Sequence, residues 1–200
     1  MGLFDIFKGK KAGESPAGSV KRGPYVPGEF DRDIEALLNR DDIQCRQDIC
    51  AAEYEKAMKL VQFGDMDSIH RAYDIMGRLG SEFDHVPSIL FMGQFAEESM
   101  GDAAQAARWY KRASDLGDGQ GARCFADMLM MGNGVPRDPA TAEQYYKLAA
   151  ERGVAEAAFV MGEFARSKGK AADAKKYYEQ ALKQGYAPAQ ERINQMKSGR

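Results

Sequence analysis

The chain has 200 residues, 44% hydrophobic and 29% charged, the size and balance of one ordinary globular domain. Its 28 basic and 30 acidic side chains leave a net charge of −2, which gives no global field to draw in nucleic acid. No apolar run approaches the roughly 18 residues that would suggest a membrane span.

Residues 1–30 are expected to form a flexible basic tail. Within 1–28, Lys8, Lys10, Lys11, Lys21 and Arg22 stand against Asp5 and Glu14, a net +3, while six glycines and three prolines rule out a continuous helix. The start is distinct: Leu3, Phe4, Ile6 and Phe7 form an apolar cluster with the lysines directly after it. It is too short for a secretory signal and its charges are on the wrong side. Gly2 does not make a myristoylation site, because position 6 is Ile rather than Ser or Thr. What remains is a disordered start or a sticky end that docks on its own domain, a short docking peptide for a partner groove, or a weak membrane-surface anchor.

From residue 31 onward the expectation is a single helical repeat domain. A diverged helix pair is expected over about 42–80, because Gly64-Asp65 through Arg71-Ala72-Tyr73 to Gly80 repeats at a constant offset of 37 as Gly101-Asp102 through Arg108-Trp109-Tyr110 to Gly117. Repeats follow at 87–117, 118–153 and 154–185, with a closing helix at 186–197. Aromatic pairs at 109/110, 145/146 and 177/178 and glycines at 117, 153 and 185 step together by 36 and 32 residues, a period that marks stacked helical hairpins. The first helix of each pair carries its own repeat, aligned on Gly93, Ala126 and Gly162, with Met92, Phe125 and Met161 just before. A small residue there lets the neighbouring helix approach closely, and Ala113, Ala149 and Ala181 do the same in the second helix. The expected architecture is therefore all-α, a right-handed α-solenoid of stacked antiparallel helix pairs. Leu60, Ile75, Met92, Phe95, Trp109, Tyr110, Phe125, Leu129, Tyr145, Leu148, Met161, Tyr178 and Leu182 are the expected core.

Between the helices of the middle repeat, Gly132-Asn133-Gly134-Val135-Pro136-Arg137-Asp138 forms a tight loop with a helix cap: glycines permit positive φ, Val135 can pin the loop, and Asp138 caps a helix opening on Pro139. Residues 122–153 with this loop strongly resemble a Sel1-like repeat, a branch of the tetratricopeptide-repeat superfamily marked by a Gly-x-Gly-Val-x-x-Asp loop. The resemblance extends over about 87–197 and more weakly over 42–80. It implies a non-catalytic adaptor whose concave groove is lined from the first helix of each pair.

No phosphate loop, dinucleotide fingerprint, zinc-protease motif or nucleophile elbow is present, so neither an enzyme nor a cofactor is expected. Cys45, Cys50 and Cys124 are odd in number with no CxxC pair, which fits a reducing compartment and a cytoplasmic location. Cys45, Cys50, His70 and His85 are too irregularly spaced for a zinc site and read as helix-face thiols and exposed imidazoles. Glu97-Glu98 diverge by about 100° on a helix, so they read as a solvated acidic face rather than an acid/base pair.

Positions three before, one after and four after Gly93, Ala126 and Gly162 give the expected groove: Leu90, Gln94 and Glu97; Arg123, Asp127 and Met130; Phe159, Glu163 and Arg166. Their mixed charge suits peptide recognition. Arg123 and Arg166 would read an acidic group, unless they pair with Asp127 and Glu163. The expected partner is a protein or peptide, not nucleic acid, and membrane contact is confined to residues 1–8. The competing reading is an accessory subunit held at a membrane or large assembly through that N-terminal apolar segment.

Overall fold

The computed structural model describes residues 43–198, and the expectations for the basic tail lie outside these residues. The described residues form nine α-helices and no strand: α1 (Ile43–Phe63), α2 (Met66–Glu82), α3 (Val86–Glu98), α4 (Ala103–Asp115), α5 (Gly119–Met131), α6 (Pro139–Glu151), α7 (Ala155–Ser167), α8 (Ala171–Lys183) and α9 (Pro188–Lys197). The chain is an all-α solenoid of stacked helix pairs. It divides into two compact units, with the boundary inside α3 between Ser88 and Ile89.

In the first unit α1 and α2 form a hairpin. Cys50, Ala57 and Val61 on α1, and Ile69, Ala72, Met76 and Leu79 on α2, are buried at helical spacing. Asp65 caps α2 by accepting a hydrogen bond from the Ser68 amide at 2.9 Å. Two expectations fail here. The repeat offset equates Gly80 with the helix-ending Gly117, yet α2 runs through Gly80 to Glu82, and the left-handed residue of the turn is Asp84, at φ 52°. His85 is half-buried rather than exposed: its ring meets Tyr54 edge-on at 5.3 Å and its Nδ1 lies 2.8 Å from the buried Ser88 hydroxyl. Burial pushes its pKa below the usual histidine value.

The second unit holds three hairpins and a closing helix on one continuous core. Each hairpin ends the same way. The amides of Gly117, Gly153 and Gly185 reach back three residues to Ser114, Ala150 and Leu182, and the following amides reach back five, to Ala113, Ala149 and Ala181. This double closure needs a left-handed residue, and the three glycines sit at φ 96°, 90° and 94°. Successive second helices are tied by polar side chains: Arg152 Nη1 donates to the Ser114 carbonyl at 3.0 Å, and Gln180 Nε2 to the Ala150 carbonyl at 2.8 Å. Alanines fill the close approaches, with Ala113, Ala149 and Ala181 fully buried as expected.

Of the expected core, Met92, Tyr110, Phe125, Leu129, Met161 and Tyr178 are buried, while Leu60, Ile75, Phe95, Trp109, Tyr145, Leu148 and Leu182 are only half-buried. The second member of each aromatic pair turns inward (Tyr110, Tyr146, Tyr178). The first, about 100° around the helix, stays at the margin of the core. Trp109 is thus a flanking rather than a central packing residue.

The loop of the middle repeat follows its sequence reading. Gly132 and Gly134 have φ 76° and 69°, the half-buried Val135 packs on the core, and Asp138 accepts from the Ala140 and Thr141 amides, each at 3.1 Å, with Pro139 opening α6. Gly134 is constrained twice. Besides its left-handed backbone, a Cβ there would lie 2.2 Å from the Ala103 carbonyl, so the loop rides directly on the start of α4. Substituting Gly185, which has open space around it, costs about 1–2 kcal/mol for the left-handed backbone alone. Gly134→Ala is expected to cost clearly more than Gly185→Ala in urea denaturation; equal costs would show that the loop lifts off α4 without penalty.

Candidate functional site

On the second unit, α3, α4, α5 and the loop after α5 enclose an open cleft of about 590 Å³. Leu90, Gln94, Glu97 and Glu98 come from α3, Tyr110 from α4, Gln120, Arg123, Cys124, Asp127, Met128 and Met131 from α5, and Asn133 from the loop. Its size lies in the usual range of ligand clefts, about 300–1,000 Å³.

Five of the nine expected groove residues meet here: Leu90, Gln94, Glu97, Arg123 and Asp127. Met130, on α5, is half-buried against the core outside the cleft. Phe159, Glu163 and Arg166 lie one repeat further along, on α7. Phe159 is half-buried there, its ring 5.5 Å from Tyr178 and 5.1 Å from Tyr186.

One polar device recurs along this face. The tyrosine at the second position of each aromatic pair crosses to the first helix and donates a hydrogen bond to a carboxylate. Tyr110 donates to Glu97 at 3.2 Å, Tyr146 to Asp127 in a short hydrogen bond, and Tyr178 to Glu163 at 2.7 Å. Burial, together with the acceptor carboxylate, raises all three phenol pKa values, that of Tyr178 up to about 12.

The arginines are engaged on their own helices. Arg123 donates to Asp127 at 2.7 Å and to Gln120 at 3.1 Å, and a third contact reaches Cys124 Sγ at 3.4 Å. Burial drives the Cys124 thiol up to about 11, against the opposing charge of Arg123, so it stays protonated at neutral pH. Arg166 donates to Glu163 at 2.8 Å, and Arg192 of α9 adds a second pairing at 2.8 Å. Burial alone would raise the Glu163 pKa, but hydrogen bonds from Arg166 and Tyr178, with the charges of Arg166 and Arg192, hold it below the usual value.

The first repeat lacks this compensation. Glu97 accepts from Tyr110 and, at 3.4 Å, from the Asn133 side chain; Glu98 accepts from Gln94 at 3.1 Å. Neither carboxylate forms an ion pair among the described residues. Both are exposed and line one cleft, so the adjacent pair does form the solvated acidic face expected of it. Met131, at the end of α5, is 77% exposed at the same cleft.

The repeat register on the first helices does not reach Tyr110, Met131 or Asn133. Tyr110 comes from the second helix of the pair. Met131 and Asn133 are brought in by the path of the loop, itself set by the contact of Gly134 with Ala103. Among the described residues no group of three or more His, Cys, Asp or Glu could hold a metal ion, and no helix is long and apolar enough to cross a membrane.

The Sel1 repeat family matches the chain at residues 78–118, 123–154 and 155–186, together just over half of its length. Among solved structures, the Sel1 repeat protein from Oxalobacter formigenes superposes with a TM-score of 0.62 at 24% identity, over 73% of this chain and 63% of that one. A protective antigen present in uropathogenic Escherichia coli strains, displaying an SLR fold, superposes with a TM-score of 0.67 at 25% identity, over 82% of this chain and 36% of that one. The chain therefore spans less than two thirds of either protein. No curated protein matches it by sequence.

The engagement of Glu163 sets a pH dependence. Its folded pKa lies below the unfolded value of 4.5, so its stabilisation is complete above that pH and is lost as pH falls through the folded value. Glu163→Gln is expected to lower stability at neutral pH and to lose less on acidification from pH 7 to roughly 3 than the parent chain, in urea unfolding at each pH. Parallel acid limbs for the two proteins would contradict this.

Proposed function

The chain belongs to the Sel1 repeat family, whose repeats generally build protein–protein interaction scaffolds, and from that footing we propose that it is a non-catalytic adaptor binding an extended peptide segment in the cleft between α3 and α5. The observation that carries this reading is the charge of the cleft. Asp127 is neutralised by Arg123, whereas Glu97 and Glu98 have no cation among the described residues, beside the exposed thioether of Met131. A cleft with uncompensated carboxylates and an adaptable apolar rim suits a segment bearing lysine or arginine next to large apolar side chains.

In this reading Arg123 and Arg166 act mainly on their own helices. The Arg123 guanidinium fixes Asp127, which in turn accepts from Tyr146, and Arg166 does the same for Glu163. Leu90 and Gln94 line the cleft from α3. A longer segment would continue past Met130 towards Phe159, Glu163 and Arg166 on α7.

Panning a library of random displayed peptides against the chain tests the proposal. Enriched peptides should carry basic and apolar residues together. The Glu98→Lys, Met131→Asp double variant alters only exposed side chains of the cleft, so its melting temperature should stay close to that of the parent. It should weaken those peptides by more than about tenfold, or 1.4 kcal/mol. Undiminished binding by the variant would move the interaction surface off this cleft.

A further inference from the structure

One repeat position of the second unit changes character from hairpin to hairpin. Four residues after Gly93, Ala126 and Gly162 stand Glu97 on α3, Met130 on α5 and Arg166 on α7. The hairpins at the two ends of this series are built alike: the Cε1, Cδ1 and Cζ atoms of Tyr110 lie nearest the missing Cβ of Gly93, and the same three atoms of Tyr178 lie nearest that of Gly162. Residues 97 and 166 are therefore equivalent in structure as well as in spacing. Repeats stacked in one solenoid bring equivalent positions of their first helices into a row, and this row runs acidic, apolar, basic.

The local charge is unbalanced in opposite senses at the two ends. Glu97 and Glu98 accept only from the neutral groups of Gln94, Tyr110 and Asn133 and form no ion pair among the described residues. In the middle hairpin Arg123 and Asp127 pair one to one at 2.7 Å. At the far end two guanidiniums converge on a single carboxylate: Arg166 and Arg192 each reach Glu163 at 2.8 Å, which closes that group with one positive charge to spare. Glu191, beside Arg192 on α9, does not absorb it, because it accepts from Gln195 at 3.1 Å and forms no ion pair among the described residues. The Arg166 side chain is 56% exposed and binds Glu163 through one terminal nitrogen, Nη2.

We propose that the second unit reads its partner in one direction: the bound segment presents lysine or arginine to Glu97 and Glu98, apolar side chains past Met130 and Phe159, and an aspartate or glutamate side chain to Arg166 and Arg192. The proposal rests on the cleft being a peptide site and extends that site to α7 and α9. Neither arginine has to leave Glu163, since a guanidinium carries five N–H donors in a planar fork and holds a second carboxylate beside the first. Stacked helices lie about 10 Å apart, so two repeats separate the ends of the row by at least about 20 Å, which an extended chain covers in roughly six residues at about 3.3 Å each. A segment of the opposite order sets like charges against each other at both ends. The row thus discriminates between two segments of identical composition, by repulsion of the wrong one as much as by attraction of the right one.

The experiment uses the full chain and synthetic ten-residue peptides copied from those enriched by panning, acetylated and amidated so that no chain end supplies a charge. Enriched sequences should carry a basic and an acidic residue about six positions apart, always in the same order, with apolar residues between. Exchanging those two residues within a peptide should weaken its binding to the parent chain by more than about tenfold. Arg166→Glu should weaken the unaltered peptide by a similar factor. A peptide whose acidic residue is replaced by lysine should recover at least about tenfold on the Arg166→Glu chain, a rescue that damage to the fold cannot produce.

Peptides that lose affinity for the Glu98→Lys, Met131→Asp variant, yet carry no acidic residue and bind Arg166→Glu as they bind the parent, overturn the directional reading and leave the cleft as a peptide site. Equal binding of the two charge orders overturns it as well. So does an acidic residue that is required for binding but indifferent to Arg166→Glu, because that residue is then read elsewhere. Peptides indifferent to both the cleft variant and Arg166→Glu remove the peptide site and the charge order together.

Discussion

The second unit depends on a tyrosine ring lying where a side chain is missing. Tyr178 packs so closely over Gly162 that a Cβ on the glycine would stand 2.4 Å from the ring, and Tyr110 repeats this over Gly93 at 2.6 Å. Tyr178 is wholly buried. The glycine lets the two helices of a hairpin approach, and the ring sets how far. In the middle repeat Ala126 holds the equivalent position opposite Tyr146. Both are buried.

The same tyrosines couple packing to surface chemistry. Each ring is buried between helices while its hydroxyl reaches across to a carboxylate on the first helix of the pair. In the second and third hairpins that carboxylate sits one residue after the small residue and an arginine completes the group: Asp127 with Arg123, Glu163 with Arg166 and Arg192. The first hairpin has Gln94 at that position. Its phenol instead takes Glu97, one turn later, and no arginine is within reach because the corresponding sites are Leu90 and Glu97 itself. A device that is electrically closed in two repeats is open in the other. That difference gives the cleft its negative character, and the peptide-binding proposal rests on it.

Much of this was legible in the sequence because its causes are local. Asp138 before Pro139, glycines at 117, 153 and 185, and the small residues at 93, 126 and 162 each satisfy a constraint within a few residues, and the helices fall where those signals put them. The repeat register also carried Leu90, Gln94, Glu97, Arg123 and Asp127 into one cleft. The errors came where the repeat was extrapolated beyond its chemistry. Gly80 aligns with helix-ending glycines but is buried within α2, and the turn passes to Asp84. Trp109 aligns with tyrosines at the margin of the core, so its size suggested a central role that its helical phase denies it. Met131 and Asn133 were invisible to the register because a loop delivers them, and that loop is placed by a contact between Gly134 and Ala103, 31 positions apart in sequence.

The account turns on Gly162 and Tyr178 acting as one unit, and a double-mutant cycle on that pair tests it most directly. Gly162→Leu, Tyr178→Ala and the double variant are compared by urea denaturation. With the ring in place a leucine at 162 has no room; with the ring removed it can enter the vacated space. The account predicts that Gly162→Leu is much less costly in the Tyr178→Ala background, a coupling of about 1 kcal/mol or more. Costs that simply add would contradict it, and would mean that the spacing of the hairpin is set elsewhere.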